Sequence, residues 1–381
     1  MAKYYEFFAG GGMAGAGLGS EWTCIFANDF DQKKAASYRA NWSGNPLRVE
    51  DVAHLTTSDL PDVADLAWAS FPCQDLSLAG AGAGLKGARS GMFWSFWRLM
   101  TGLAEQGRAP SLIALENVCG ALTSHAGKDF AAICQALAQA RYNFGAVVMD
   151  AVHFVPQSRP RLFIIAAQEA LDLPTDVLRE GPDGDWHTSG VVAAYSKLSA
   201  LAKSRWLWLR LPAPPRRTCV LADVIEESPK GVVWYTAAET RRLINMMSPL
   251  NLEKLKAAKR AGRRMVGAVY KRTRMDGQGG KVLRAEIRFD DIAGCLRTPG
   301  GGSSRQTIVI VEGDTVRARL LAPREAARLM GLPDWCALPD NYNEAYQLAG
   351  DGVVVPVVRF LAQHLLEPML AGAQAKRKRA A

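Results

Sequence analysis

A thiol, a carboxyl and a guanidinium stand at the ends of apolar runs, the places where an open α/β sheet presents reactive groups. Cys73 lies in Ser70-Phe71-Pro72-Cys73-Gln74-Asp75-Leu76-Ser77, directly after the apolar Leu66-Ala67-Trp68-Ala69. The segment that follows, Ala79 to Gly87, is too rich in Gly and Ala to pack as an ordinary helix or strand. A cysteine so placed is a candidate nucleophile, and Pro72, with its fixed φ and no N–H, shapes the turn that holds it. An arbitrary cysteine is more often one more small buried residue, so Cys73 is judged by its company. Glu116 follows the run Ser111-Leu112-Ile113-Ala114-Leu115 directly. A carboxylate there is costly unless it is paired or used, and capping and function explain it equally well. Gln157, Arg159 and Arg161 alternate at period 2 just before the apolar Leu162-Phe163-Ile164-Ile165. Three long donors on one face of a strand suit phosphate or base recognition.

The elements that must position these groups begin at the N-terminus. Tyr4-Tyr5-Glu6-Phe7-Phe8 reads as a strand and runs into AGGGMAGAGLGSEW, a glycine turn and a small-residue helix. That order opens a nucleotide-binding βαβ unit, although glycine turns also serve as plain corners. It gains weight from Cys24-Ile25-Phe26-Ala27-Asn28-Asp29, a second strand whose terminal carboxylate stands roughly 20 positions on, where it would accept from ribose hydroxyls. Phe30 beside it offers a flat apolar face for a purine. Asp51 ends a third short strand and would accept from an adenine amino group, or simply close a turn. The helix from Gly91 to Met100 carries aromatics at helical spacing and reads as core.

A chain of 381 residues with an apolar fraction of 49% is long enough for two domains. No apolar run approaches the roughly 20 residues that span a bilayer, and the N-terminus lacks a secretory pattern, so a cytoplasmic protein is expected. The seven cysteines are scattered, odd in number and without a CxxC pair, which argues against a disulfide framework and a zinc site; no metal is expected. The net charge of +9 points to a polyanion. Its excess concentrates between Lys254 and Arg274, including Arg263 and Arg264, and in the tail Lys376 to Arg379, which reads as disordered. From about Ala170 the βα alternation is lost, prolines cluster, and Trp186, Trp206, Trp208 and Trp234 read as the core of a second, irregular domain. Arg297 to Thr307, with Arg305, forms a polar glycine-rich loop before a strand.

In this order the motifs resemble the DNA (cytosine-5) methyltransferase family from Phe8 to about Leu370: FAGGG with AGL, FPCQ, ENV, QSRPR, LLAPREAARLMGLP and GDGVVVPVV. The resemblance implies an S-adenosylmethionine-dependent, Rossmann-like mixed α/β sheet with a smaller, irregular target-recognition domain. It implies catalytic and cofactor-binding residues 1–170, target recognition over 171–318, a hinge helix over 319–341, a segment 342–372 returning to the first domain, and a basic tail 373–381. Phe8, Gly10, Gly12, Asp29, Phe30, Asp51, Val52, Pro72, Asp351 and Val353 are then expected around S-adenosylmethionine. Cys73 becomes the nucleophile, Glu116 the partner of the target base, and Arg159 and Arg161 the arginines that position it.

The chemistry requires such groups. Carbon 5 of cytosine takes a methyl group only after a thiolate adds at carbon 6, and Glu116 would neutralise charge developing at ring nitrogen 3. The base must leave the duplex, so Ala79 to Gly87 reads as a closing loop. Gln74, Ser77, Lys86, Arg89, Gln157, Arg263, Arg264 and Arg305 are expected on DNA. The expected partners are duplex DNA and a cognate restriction endonuclease, the protein acting as a nucleoid-associated monomer. Three residues depart from the family pattern: Met13 stands for a second glycine, Asp29 for a glutamate and Asp351 for an asparagine. Two other readings compete, a tRNA methyltransferase of the same family and a catalytically silent DNA-binding module. The large basic insert speaks against the first, and the intact Cys73, Glu116 and Arg161 set against the second. A dehydrogenase using the glycine loop for NAD is weaker still.

Overall fold

The computed structural model describes residues 1–42, 44, 46–71, 91–276, 279–297 and 305–372. Pro72, Cys73, Gln74, Ser77, Lys86 and Arg89, the expected closing loop and the basic tail lie outside the described residues. By its contacts the chain forms two units: one from residues 1–150, 160–214 and 355 onward, the other from 151–159 and 215–354.

The first unit is built on β1 (Ala2–Phe7), β2 (Trp22–Asp29), β3 (Leu47–Val49), β4 (Leu66–Ala69), β5 (Leu112–Val118), β6 (Tyr142–Asp150) and β7 (Pro160–Gln168). Their order is β3-β2-β1-β4-β5-β7-β6, parallel except for β7, which is antiparallel to both its neighbours. The order reverses between β1 and β4, and at such a switch the carboxyl ends of the two strands leave a crevice for a ligand. β4 and the first four residues of β5, Leu112 to Leu115, are unbroken apolar runs because both faces of the sheet are covered. On one face the helix Met92–Glu105 buries Phe93, Phe96, Leu99, Met100 and Leu103, and the Phe96 ring lies 5.0 Å from that of Phe7. Burying one such ring stabilises by about 1.5–3 kcal/mol. The returning helix Val355–Leu361 packs on the helix Met13–Leu18, where a Cβ on Gly17 would sit 2.7 Å from the Val355 carbonyl oxygen.

Residues 171–214 pack with this sheet. β8 (Leu178–Arg179) and β9 (Trp208–Leu209) pair with each other, and the chain between Arg205 and Leu207 bonds to both backbone groups of Phe144 on the edge strand β6. Trp206 packs against Phe130 and Phe144, so Trp186, Trp206 and Trp208 belong to the first unit and not to the core of the second. The reason is the open edge of β6, whose unpaired backbone must be covered. The stretch Tyr342–Gly372 is, by length and composition alone, apolar enough to cross a bilayer, contrary to the sequence reading. Its Val357, Val358, Leu361, Leu365 and Leu366 are buried, and core packing accounts for that composition.

The second unit is more regular than its composition implied. β10 (Met265–Met275), β11 (Lys281–Arg288), β12 (Thr307–Glu312) and β13 (Thr315–Leu320) form an antiparallel sheet in the order β11-β10-β12-β13. Leu243 and Leu255, from the helices Ala237–Asn245 and Pro249–Arg260, share a core with Val269, Ile287, Val309 and Val311. In the expected hinge region the helix is short, Pro323–Arg328.

Gly145 on β6 is what admits the covering segment: a Cβ there would meet the Leu207 carbonyl oxygen at 2.2 Å and Leu209 Cγ at 2.7 Å. Gly145→Ala is therefore expected to destabilise the protein by about 1–3 kcal/mol through backbone displacement. Chemical denaturation of the two proteins measures it, and equal stability would show that the edge is not covered in this way.

Candidate active site

β5 outruns its parallel neighbour. The last β4–β5 pair is Ala69 with Leu115, after which Glu116, Asn117 and Val118 continue alone on that side. Glu116 thus lies within the strand, not beyond it as the sequence implied. On the other side Glu116 faces Phe163 and Val118 faces Arg161. Residues 116 and 118 share a face, so Glu116 and Arg161 are diagonal neighbours on it. Arg161 Nε stands 3.2 Å from Glu116 Oε1, with the side chains only 16% and 10% exposed. Asn117 Nδ2 donates to the Phe71 carbonyl oxygen at 3.3 Å, which fixes the chain two residues before Cys73 beside Glu116. Cys119 follows; burial pushes its thiol up, against the opposing pull of the Arg161 guanidinium.

Gln157 and Arg159 do not join this face. β7 starts at Pro160, so the period-2 alternation expected across 157–161 is not strand geometry. Gln157 is wholly buried in the second unit, donating to the Leu329 carbonyl and accepting from Leu296 N–H. A DNA contact from that side chain is therefore excluded in this conformation. Arg159 is 2% exposed and donates to the carbonyl oxygens of Leu296, Gly350 and Gly352. It binds backbone, not a target base, because three buried carbonyls need donors there.

Five of the expected cofactor residues, Phe8, Gly10, Gly12, Asp29 and Phe30, lie at the ends of β1 and β2. Phe8, Gly10 and Gly12 all have left-handed backbone, with φ of 57°, 55° and 77°. A Cβ on Gly12 would strike the Trp42 ring at 2.2 Å, and Trp42 Nε1 in turn donates to the Gly11 carbonyl. Asp29 ties the loop down: its two carboxylate oxygens accept from Gly10 N–H at 2.8 Å and Asp31 N–H at 2.9 Å. Each oxygen keeps a further lone pair for a ligand. Phe30 presents a ring 64% exposed. Asp51 accepts from Ala53 N–H and closes a turn, and Val52 is buried in the core. In the second unit Asp351 ends the helix Tyr342–Asp351, exposed, while Val353 is buried.

Among the residues expected on DNA, Arg263 is exposed. Arg264 pairs with Glu227, and Arg305 lies over the Tyr342 ring at 5.5 Å.

Two groups escaped the sequence reading. Asn28 Nδ2 bridges the Arg48 and Glu50 carbonyls, holding β3 to β2. Glu6 is 1% exposed and accepts from Gly15 N–H beneath the glycine loop. Its carboxyl is pushed up to about 8 by burial, against the backbone donors of Gly15 and Ala14 and with a small push from Asp29. A carboxylate on a strand covered on both faces was the available signal.

The sequence pattern of the C-5 cytosine-specific DNA methylase family matches residues 2–367. The chain is 25% identical to the Type II methyltransferase M.NlaX of Neisseria lactamica over 371 residues, covering 96% of each. It is 23% identical to M.HhaI of Haemophilus parahaemolyticus over 368 residues, 95% of this chain and 94% of that one. Among solved structures, the Entamoeba histolytica methyltransferase EhMeth shares the fold with a TM-score of 0.64 at 13% identity, covering 97% of this chain and 98% of its own.

Glu6 gives the site a pH signature. Its folded value of about 8 stands above the ordinary 4.5, so the native state holds a proton that the unfolded chain has released. Stability from this group falls as pH rises from about 4.5 to about 8 and is level beyond. The unfolding free energy of Glu6→Gln minus that of the wild type is expected to rise across that window. Denaturant titrations at several pH values measure it, and a flat difference would mean Glu6 is not held neutral.

Proposed function

The chain belongs to the C-5 cytosine-specific DNA methylase family, and from that premise we propose how its own residues divide the methylation of cytosine in DNA. The observation that carries the assignment is the Glu116–Arg161 pair beside the Phe71 carbonyl. A carboxyl and a guanidinium are already oriented there, and the chain leaves Phe71 toward Cys73. The turn through Phe8, Gly10 and Gly12, the Asp29 carboxylate and the open Phe30 ring fit S-adenosylmethionine: backbone drawn back for a close approach, an acceptor for ribose and a face for adenine. When bound, S-adenosylmethionine supplies the methyl group on a positively charged sulfur.

Cys73 attacks carbon 6 of a cytosine turned out of the duplex, and the ring double bond's electron pair moves toward carbon 5. Glu116 shares a proton with ring nitrogen 3 and so limits charge on the base. Arg161 holds Glu116 in line and offers its remaining donors to the base oxygen. Carbon 5 would then take the methyl group, its sulfonium carrier leaving as a neutral thioether; loss of the carbon 5 proton to water and cleavage of the bond from sulfur to carbon 6 return the thiolate of Cys73. Arg159 acts at one remove, as a positioning residue that clamps 296 and 350–352. Exposed cations of the second unit, Arg263 among them, meet phosphates.

We propose further that the chain acts as a monomer in the cytoplasm, at sites shared with a cognate restriction endonuclease, a reading that agrees with the name Type II methyltransferase carried by its relatives. Bisulfite sequencing of DNA from cells producing the protein tests the activity directly. Wild type is expected to protect a defined cytosine context from bisulfite conversion and Cys73→Ala none, while Glu116→Ala lowers kcat by about 10²–10³-fold. Undiminished methylation by Cys73→Ala would sink the mechanism.

A further inference from the structure

β12 pairs with β10 only from Met265 to Val269, so from Tyr270 onward β10 and β11 continue without a third strand. The near half of this ribbon is anchored by Val269, Ala285 and Ile287 in the core. The far half is open, with Met275 64% and Leu283 48% exposed. The register sets Tyr270 opposite Glu286 and Arg272 opposite Arg284. Residues two apart share a face, so Tyr270, Arg272, Arg274, Arg284 and Glu286 all lie on one side. Like charges directly opposite destabilise a strand pair. Glu286 answers part of the charge, holding Arg272 at 3.5 Å and Arg274 on the same carboxylate. Among the described residues no acidic partner reaches Arg284. The exposed Arg297 adds a further cation, 5.9 Å from the centre of the Tyr270 ring.

We propose that this ribbon enters the major groove of the target duplex with its arginine face inward, and that Arg272 and Arg284 recognise guanine in the site beyond the target C·G pair. The proposal rests on the reading that this chain methylates duplex DNA. The major groove admits a two-stranded ribbon, and a guanidinium fork matches guanine O6 and N7. Three arginines answered by one carboxylate leave this solvent-facing ribbon with the opposite charge to the groove it would occupy, and Arg284 has no acidic partner among the described residues. Same-face residues along a strand repeat every ~6.8 Å, two base-pair steps of ~3.4 Å. Arg272 and Arg274 would then meet base pairs about two steps apart, and Arg284 would address the step of Arg272 from the other strand. The ribbon from Tyr270 to Met275 spans about 17 Å, enough for about five base pairs, so a short site is expected.

The test uses the full chain on duplex libraries randomised around cytosine, with methylation read by bisulfite sequencing. Wild type is expected to require guanine at one or more positions outside the target pair. Arg272→Lys and Arg284→Lys keep the charge but lose the fork, so each is expected to relax one guanine preference by about 10- to 100-fold. Their salt slopes of binding should match that of the wild type. Independently of any variant, replacing that guanine by 7-deazaguanine should weaken wild-type binding by a similar factor. A wild-type site without guanine beyond the target pair, or unchanged preferences in both variants and with 7-deazaguanine, overturns the proposal while leaving the methylation intact. A wild-type protein that methylates no cytosine overturns the activity and the proposal with it.

Discussion

The site depends on a mismatch of strand lengths. β4 stops at its pair with Leu115 and β5 goes on for three residues, Glu116, Asn117 and Val118. Those residues keep strand geometry, and hence a fixed direction, only because β7 pairs with them on the other side. β7 is antiparallel, so its first residues and not its last lie at the carboxyl end of β5. Were it parallel, Arg161 would sit at the far edge of the sheet and Glu116 would be buried without a cation. Removing one partner from a buried pair of this kind costs about 3–5 kcal/mol, because it strands the other charge. The antiparallel insertion thus places a carboxyl, a guanidinium and the Phe71 carbonyl at one spot with little freedom to reorganise.

The neighbouring strand ends solve a different problem, holding a glycine loop in an extended turn without collapse. Three left-handed residues in five, Phe8, Gly10 and Gly12, turn the loop away from a helical path. Such a turn needs a brace, and Asp29 supplies it from β2. Glu6 lies below, close enough to feel Asp29, and burial keeps it protonated near neutrality. Two ionised carboxylates under one short loop would repel each other with little solvent between them. A neutral Glu6 accepts from Gly15 without adding a second charge.

Much of this was legible in the chain. Periodicity and glycine placement located β1, β2, β4 and β5, and the acid and thiol at strand ends stood out against their apolar runs. What failed has a common physical cause. Gln157, Arg159 and Arg161 alternate like a strand, yet the strand begins at Pro160, and the first two donors are consumed by buried carbonyls that no local pattern announces. Likewise Trp206 and Trp208 follow the loss of βα alternation, so they read as a new domain. Only the bare edge of β6 and the missing side chain at Gly145 explain why they return to the first sheet. Backbone groups left unpaired at an edge act across long sequence separations, and a linear reading cannot count them. Cys73 remains assigned by its neighbours in sequence, since it lies outside the described residues.

Charge shows the same limit from the other side. As a string, residues 254–274 are one basic run, which invites one phosphate-binding patch. Folded, the run divides between the helix Pro249–Arg260 and β10, and its members meet different fates. Lys256 pairs with Glu253, and Arg264 joins Arg317, Glu227 and Glu312 in a network that stays on the protein. Such exposed pairs stabilise by about 1 kcal/mol at most, but they lower the net charge available to a polyanion. The strand period of two and the β11 register gather three arginines and one carboxylate on one face of the ribbon, which keeps cationic charge in excess there. Attraction for DNA is therefore decided less by the count of arginines than by which of them the sheet leaves without a carboxylate. A hairpin anchored only at its near half is the element able to carry that imbalance, because the core of the unit does not depend on its far half.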